Sequence, residues 1–134
     1  MRFVIDSSAL IALLENETGA HVVADLVEDS GNDCYAHAVN LCEVYYHALG
    51  SHGQEMADLA LGWLDELNLE QRADIDRGFW QEAARHKADL RRVSLADCFC
   101  LTLANRLEAE VVTSDHHEFD AVADRGLCAV RFIR

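Results

Sequence analysis

Short runs of β-branched and apolar residues alternate along this chain with longer stretches in which apolar positions recur every three or four residues. The runs at 2–5 (RFVI), 34–37 (CYAH), 69–73 (LEQRA), 110–113 (EVVT) and 128–132 (CAVRF) read as strands. Between them, Met56, Leu59, Ala60, Trp63, Leu64 and Leu67 follow helical spacing, as do Phe79, Trp80, Ala83, Ala84, Lys87 and Leu90. The segments ENETG, EDSGND, GSHG and DRG carry the turn chemistry that separates them. Strands alternating with helices predict an α/β three-layer sandwich with a mainly parallel central sheet flanked by helices. The helices near 53–67 and 76–91 are candidates for a projecting pair or clamp. The chain has no proline, no low-complexity segment and no internal repeat, and its 134 residues, 51% hydrophobic, suffice for one core, so a single domain over 1–134 is expected.

Four carboxylates interrupt the apolar pattern without a neighbouring base: Asp6 after RFVI, Glu43 in NLCEVYY, Asp97 in SLADCFCL and Asp115 after EVVTS. A buried carboxylate costs several kcal/mol unless a cation or hydrogen bonds compensate it. Each has a structural alternative. Asp6 and Asp115 stand where helix N-caps are expected, and Ser94-Leu-Ala-Asp97 reads as a capping box with Asp97 at N3. Glu43 caps nothing, and its alternative is an exposed helical strip. As a set they say more. Ligands of open parallel sheets bind at the carboxyl ends of the strands, where Asp6 and Asp115 both fall, and Asp97 and Glu43 can reach the same edge from helices. Two like charges about 4 Å apart repel by roughly 4 kcal/mol at an effective dielectric near 20. Clustered carboxylates therefore call for a hard divalent cation, Mg²⁺ or Mn²⁺.

The net charge of −13 is lopsided: residues 1–71 hold 13 acids and one base, residues 72–134 hold 11 acids and 10 bases. Six of those bases, from Arg72 to Arg92, precede Asp97. General nucleic-acid binding, which rests on Lys and Arg, is disfavoured, and any contact of that kind must be local. Arg85, Lys87, Arg91 and Arg92 are the candidates for gripping phosphates, with a solvated helix face as the alternative. The five cysteines form no C-x-x-C pair and read as buried free thiols of a reducing compartment. No apolar run approaches the roughly 20 residues of a membrane span, and the amino terminus lacks a signal-peptide core. A soluble, cytoplasmic protein with no membrane partner is expected.

The order VIDSSAL, NLCEVYY, SLADCFCLTLA and VVTSD resembles the PIN domain family over about residues 2–132, and the short form resembles the VapC-type toxin ribonucleases of toxin–antitoxin pairs. The resemblance implies that Asp6, Glu43, Asp97 and Asp115 are an acidic quartet holding one or two Mg²⁺ or Mn²⁺ ions. It further implies an endoribonuclease that hydrolyses RNA phosphodiester bonds, a homodimer, and a cognate antitoxin laying a segment across the acidic groove. Ser7 and Thr113 match polar positions that hydrogen-bond the carboxylates, and Asp120 is a possible additional ligand.

Two other classes compete. One is a different Mg²⁺-dependent phosphohydrolase, which the D-S-S sequence and the single lysine, Lys87, fit poorly. The other is a catalytically idle PIN-like module that only binds protein, which the intact quartet disfavours. His116 and His117 read as surface residues rather than zinc ligands, because adjacent histidines diverge on a helix. Cys98 and Cys100 read as packing, and Trp63 and Trp80 as core or subunit interface.

Overall fold

Alternate residues of the first strand feed two separate cores, and the rest of the fold follows from that division. A computed structural model describes all 134 residues. Strands β1 (Arg2–Ile5), β2 (Asp33–His37), β3 (Glu70–Arg72), β4 (Glu110–Thr113) and β5 (Val130–Phe132) form one sheet, wholly parallel, in the order β3-β2-β1-β4-β5. Phe3 and Ile5 pack on one face and Val4 on the other, all fully buried. Burial of both faces of central strands is what an all-parallel sheet demands, and it explains why RFVI and EVVT are nearly continuous apolar runs.

Helices α1 (Ser7–Leu14), α2 (Ala20–Glu28), α3 (Ala38–His52) and α4 (Gln54–Asp65) contribute Leu10, Val23, Leu41, Val44 and Leu64 to the core around Phe3 and Ile5. Helices α5 (Arg77–Asp89), α6 (Leu95–Leu107) and α7 (His116–Asp124) contribute Phe79, Leu101, Leu103 and Phe119 to the core around Val4 and Val111. The result is the expected three-layer sandwich. Gly19 starts α2 at φ +92, and a Cβ there would collide with the Ile133 carbonyl, so a glycine is what lets the α1–α2 turn pack against the last residues.

The expected clamp does not form. Helix α4 packs against α3 and α5 against α6, on opposite faces of the sheet. The chain changes face after edge strand β3, and the apolar stripes of the two helices are used up by different cores. Helix α4 has apolar residues to spare: Ala57 and Leu64 are buried, whereas Met56, Leu59 and Trp63 are 54%, 61% and 42% exposed. With Ile11, Leu14 and Val44 they line an open groove of about 640 Å³. No helix is long and apolar enough to cross a membrane.

Strands β1 to β3 step outward in one direction, and the chain then returns to place β4 on the other side of β1. The strand order thus reverses between β1 and β4. Their carboxyl ends flank a crevice of the kind in which open α/β sheets bind ligands.

Candidate active site at the switch point

Asp6 leaves β1 and caps α1. Its Oδ1 accepts hydrogen bonds from the Ala9 amide (2.9 Å) and the Ser8 hydroxyl (2.8 Å), and its Oδ2 accepts one from the Thr113 hydroxyl (2.7 Å). Thr113 ends β4 and accepts in turn from the Asp115 amide (3.0 Å). Asp115 caps α7, its Oδ1 accepting from the Glu118 amide (3.0 Å). At the start of α6 the Asp97 amide donates to the Ser94 hydroxyl (3.1 Å), the capping interaction read from the sequence. Capping and clustering are therefore not alternatives. The caps fix the backbone at the sheet edge, and the carboxylates are carried to that edge by the same turns.

Glu43 reaches the edge from the second turn of α3. Its Oε1 accepts from the Ser7 hydroxyl (3.0 Å) and from Asn40 Nδ2 (3.2 Å). Asn40, fully buried, also donates to the Ala96 carbonyl (3.4 Å) and so ties α3 to the beginning of α6. Its Oδ1 is buried without a partner.

A fifth acid joins the cluster. Carboxylate oxygens of Asp97, Asp115 and Glu118 lie within 4.8 Å of one another. Glu118 Oε2 also accepts from the Ser94 amide (2.5 Å), fastening α7 to the start of α6. The sequence reading missed Glu118, although D-x-x-E at a helix start is the spacing at which an N3 side chain turns back toward its N-cap.

Nothing cationic offsets this charge: no arginine, lysine or histidine lies within ion-pair distance of Asp6, Glu43, Asp97, Asp115 or Glu118. Burial pushes the Asp6 carboxyl up to about 6, with hydrogen bonds from Thr113, Ala9 and Ser8 opposing and the Asp115 charge adding to the rise. Burial, followed by the charges of Asp6 and Glu118, pushes Asp97 up to about 8, where it shares a hydrogen bond with Glu118. All-oxygen donors, converging and uncompensated, with an orphaned amide oxygen in the same wall, fit a hard divalent ion.

The remaining sequence candidates are placed as follows. Asp120 points away from the cluster: 58% exposed, it accepts from His116 Nδ1 at 2.9 Å, one turn beyond the acids. His116 Nε2 bonds the Arg134 carbonyl, and its ring stacks on Phe132 at 3.9 Å, so both its nitrogens are engaged away from the acids. Lys87 is turned inward. Its Nζ donates to the carbonyls of Arg91 and Val93 (2.9 Å each), pinning the loop that leads to Ser94. Arg85, Arg91 and Arg92 are exposed, and Arg91 and Arg92 face His117, Glu118 and Asp124 across a groove of about 540 Å³. Of the cysteines, Cys34, Cys98 and Cys100 are buried, Cys128 is half-buried and Cys42 is exposed; all are free.

A doubly wound parallel sheet with an uncompensated acidic crevice at its switch point is the class of protein these observations define. The PIN domain model matches residues 3–125, and the chain belongs to the PIN domain family. No curated protein sequence matches it. Among solved structures it is similar to VapBC-1 from nontypeable Haemophilus influenzae (TM-score 0.74, 18% identity, covering 99% of this chain and 98% of that one). It is also similar to VapBC2 from Rickettsia felis, solved bound to a promoter DNA fragment (TM-score 0.76, 14% identity, 98% of each chain). A third is Mycobacterium tuberculosis VapC20, described as a sarcin-ricin loop cleaving toxin (TM-score 0.67, 16% identity, 90% of this chain and 94% of that one). At these identities the likeness is one of fold.

Proposed function

We propose that this protein is a Mg²⁺- or Mn²⁺-dependent endoribonuclease, the toxin of a toxin–antitoxin pair, with Asp6, Glu43, Asp97 and Asp115 as its metal-holding acids and Glu118 as a fifth. The observation that carries the reading is the meeting of the Asp97, Asp115 and Glu118 carboxylates within 4.8 Å, with Asp6 joined to Asp115 through Thr113, Glu43 set beside them by Ser7 and Asn40, and no ion pair to any of the five. A divalent ion bound there supplies Lewis acidity, giving a water of lowered pKa and charge stabilisation at a scissile phosphate. The protein's part is orientation. Thr113 and Ser8 hold Asp6, and Ser7 and Asn40 fix Glu43 through Oε1, leaving Oε2 without a side-chain partner. Such outer bonds hold carboxylate ligands in place before a metal arrives.

The similarity to VapBC complexes supports a cognate antitoxin as partner, and the exposed Met56, Leu59 and Trp63 groove supports a protein partner on independent grounds. Arg91 and Arg92 line the same groove as Glu118 and are the side chains assigned to a substrate phosphate. A homodimer and a cytoplasmic location complete the proposal. The test is cleavage of a labelled RNA panel in Mg²⁺, Mn²⁺ or EDTA by the protein and its Asp97→Asn variant. Cleavage that requires metal and disappears in the variant is expected; cleavage that persists in EDTA removes the metal from the reading.

A further inference from the structure

An acidic protein that binds RNA must concentrate its positive charge somewhere, and the pairing of its arginines shows where. Arg2, Arg72, Arg106, Arg125, Arg131 and Arg134 each sit against a carboxylate: Asp33, Asp74, Asp76, Asp89, Glu110 and Glu17 respectively, with Arg106 also reaching Asp74. Four arginines have no such partner: Arg77, Arg85, Arg91 and Arg92. All four lie on α5 or the loop that follows it. The acids nearest α5 have neighbours of their own, and Glu118, Asp120 and Asp124 share the groove of Arg91 and Arg92. Asp76, just before α5, is held by Arg106 and Asp89 by Arg125 (2.6 Å), while Glu82 lies 3.6 Å from His86 Nε2 on the flank of the helix. The outward side of α5 therefore presents Arg77 and Arg85 without an ion-pair partner, on a chain of net charge −13.

That strip carries an aromatic. Helix α5 turns Phe79 and Ala83 inward, so Arg77, Trp80, Gln81, Ala84, Arg85 and Ala88 are left exposed together. Trp80 is 45% exposed. At 1.5 Å per residue, the helix from Arg77 to Asp89 spans about 18 Å. Its carboxyl end runs into Arg91 and Arg92, which line the groove beside Glu118. Lys87 holds that end in place through two carbonyls.

We propose that the outer face of α5 is a single-stranded RNA track, on which Arg77 and Arg85 neutralise backbone phosphates and Trp80 stacks a base, leading the strand through Arg91 and Arg92 to the acids. This rests on the ribonuclease reading and deepens it, since the track lies outside the acidic crevice. Cation plus sequence-tolerant stacking is the chemistry by which single strands are held without base readout, and Trp has the π-face for it. The arrangement resolves how so acidic a chain approaches a polyanion. The repulsive half of the molecule, α1 to α4, is on the opposite face of the sheet.

The test is fluorescence anisotropy of a labelled single-stranded oligoribonucleotide of mixed sequence, in EDTA, over a salt series. Arg85→Glu is expected to weaken binding at least tenfold at low salt and to lower the salt slope by about 0.7. Arg2→Glu, the same charge change at the amino edge of β1, is expected to leave the slope unchanged. Trp80→Ala is expected to weaken binding by roughly 5- to 100-fold with the slope kept, and Trp80→Phe to restore most of the loss. Wild-type affinity in Arg85→Glu and Trp80→Ala overturns the track, as does absence of binding by the wild type. If sedimentation shows Trp80→Ala converting a dimer to a monomer while RNA affinity is unchanged, the occupant of this face is a second copy of the chain and the track falls. Cleavage assays separate this from the parent reading. Metal-dependent cleavage that is indifferent to Arg85 and Trp80 sinks the track alone, and RNA binding that obeys them without any cleavage sinks the nuclease alone.

Discussion

The molecule contains two acidic clusters treated in opposite ways. Asp74 and Asp76, in the turn before α5, are gripped by Arg72 and Arg106, and Arg106 also lies over the Phe79 ring at 5.0 Å. Hydrogen bonds from those guanidiniums hold both carboxyls below their ordinary values, Arg72 acting first on Asp74 and Arg106 on Asp76. Asp6 and Asp97, at the switch point, are buried more deeply, have no cation, and are pushed up to about 6 and about 8. The chain has ten arginines and stations none of them among the switch-point acids. A cluster that matters only for folding is paired by the protein itself. A cluster left unpaired under burial is one whose counter-charge comes from outside.

The sharpest way to break that contrast is neutralisation in each cluster. Asp6→Asn or Asp97→Asn is expected to reduce metal-dependent RNA cleavage by at least about 10³-fold, as for loss of a group acting only with the metal in place. Asp74→Asn is expected to leave cleavage within about threefold of wild type, since it is spent on Arg72 and Arg106. Rates measured at saturating Mn²⁺ decide it. Equal losses in both variants would erase the functional distinction between the clusters.

The next effect is on stability, and its sign is inverted between the clusters. A carboxyl whose folded value lies above its unfolded value of 3.8 stabilises the fold fully only below that value. The contribution is lost as pH rises through about 6 for Asp6 and about 8 for Asp97. The metal-free protein should therefore melt at a lower temperature at pH 8 than at pH 5.5, and Mn²⁺ should remove most of the difference. Asp97→Asn should raise the melting temperature of the metal-free protein at pH 8, because the amide leaves no charge to be buried beside Asp6 and Glu118. Melting curves in EDTA at the two pH values test both statements. A flat pH profile, or an Asn variant less stable than wild type at pH 8, would mean that the acids are compensated in a way the geometry lacks.

Glu118 sharpens the comparison within the switch point itself. It is the acid that belongs to the cluster by position yet also bonds the Ser94 amide. Glu118→Gln keeps an acceptor for that amide and removes the charge, so the fold should survive while Mn²⁺ affinity falls about 10- to 100-fold. Titration calorimetry with Mn²⁺ reads this without reference to activity. An unaltered affinity would return Glu118 to a purely helix-fastening role.

Much of this was legible in the chain and some was not, for identifiable reasons. RFVI, EVVT and the turn segments announce a parallel sheet because strands buried on both faces must be continuously apolar. Asp6, Asp97 and Asp115 stand out because they follow strands or open a helix. Glu118 was hidden by its ordinary appearance as an acid in the first turn of a helix, where charge is favoured without any ligand. The partnerless state of Arg77, Arg85, Arg91 and Arg92 was also invisible. Pairing depends on carboxylates distant in sequence, such as Asp89 with Arg125 or Asp76 with Arg106. The placing of α4 and α5 on opposite faces is likewise set by where the chain crosses the sheet, which periodicity does not record.

The smallest effect tests the paired cluster on its own terms. Arg106→Met keeps an apolar stem near Phe79 and removes the guanidinium that bridges Asp74 and Asp76. Asp76 is 64% exposed, so its ion pair is largely screened, and Asp74, only 14% exposed, keeps a second guanidinium; the loss should be about 1 kcal/mol, largely from the cation over the ring. Arg72 still holds Asp74, which limits the damage to the turn. Chemical denaturation with an unchanged m-value and a slightly lower midpoint is the expected result, with RNA cleavage unaffected. A loss of several kcal/mol would instead mark the paired acids as dependent on their arginine as strongly as the switch-point acids depend on a cation, and the two clusters would differ only in where that cation comes from.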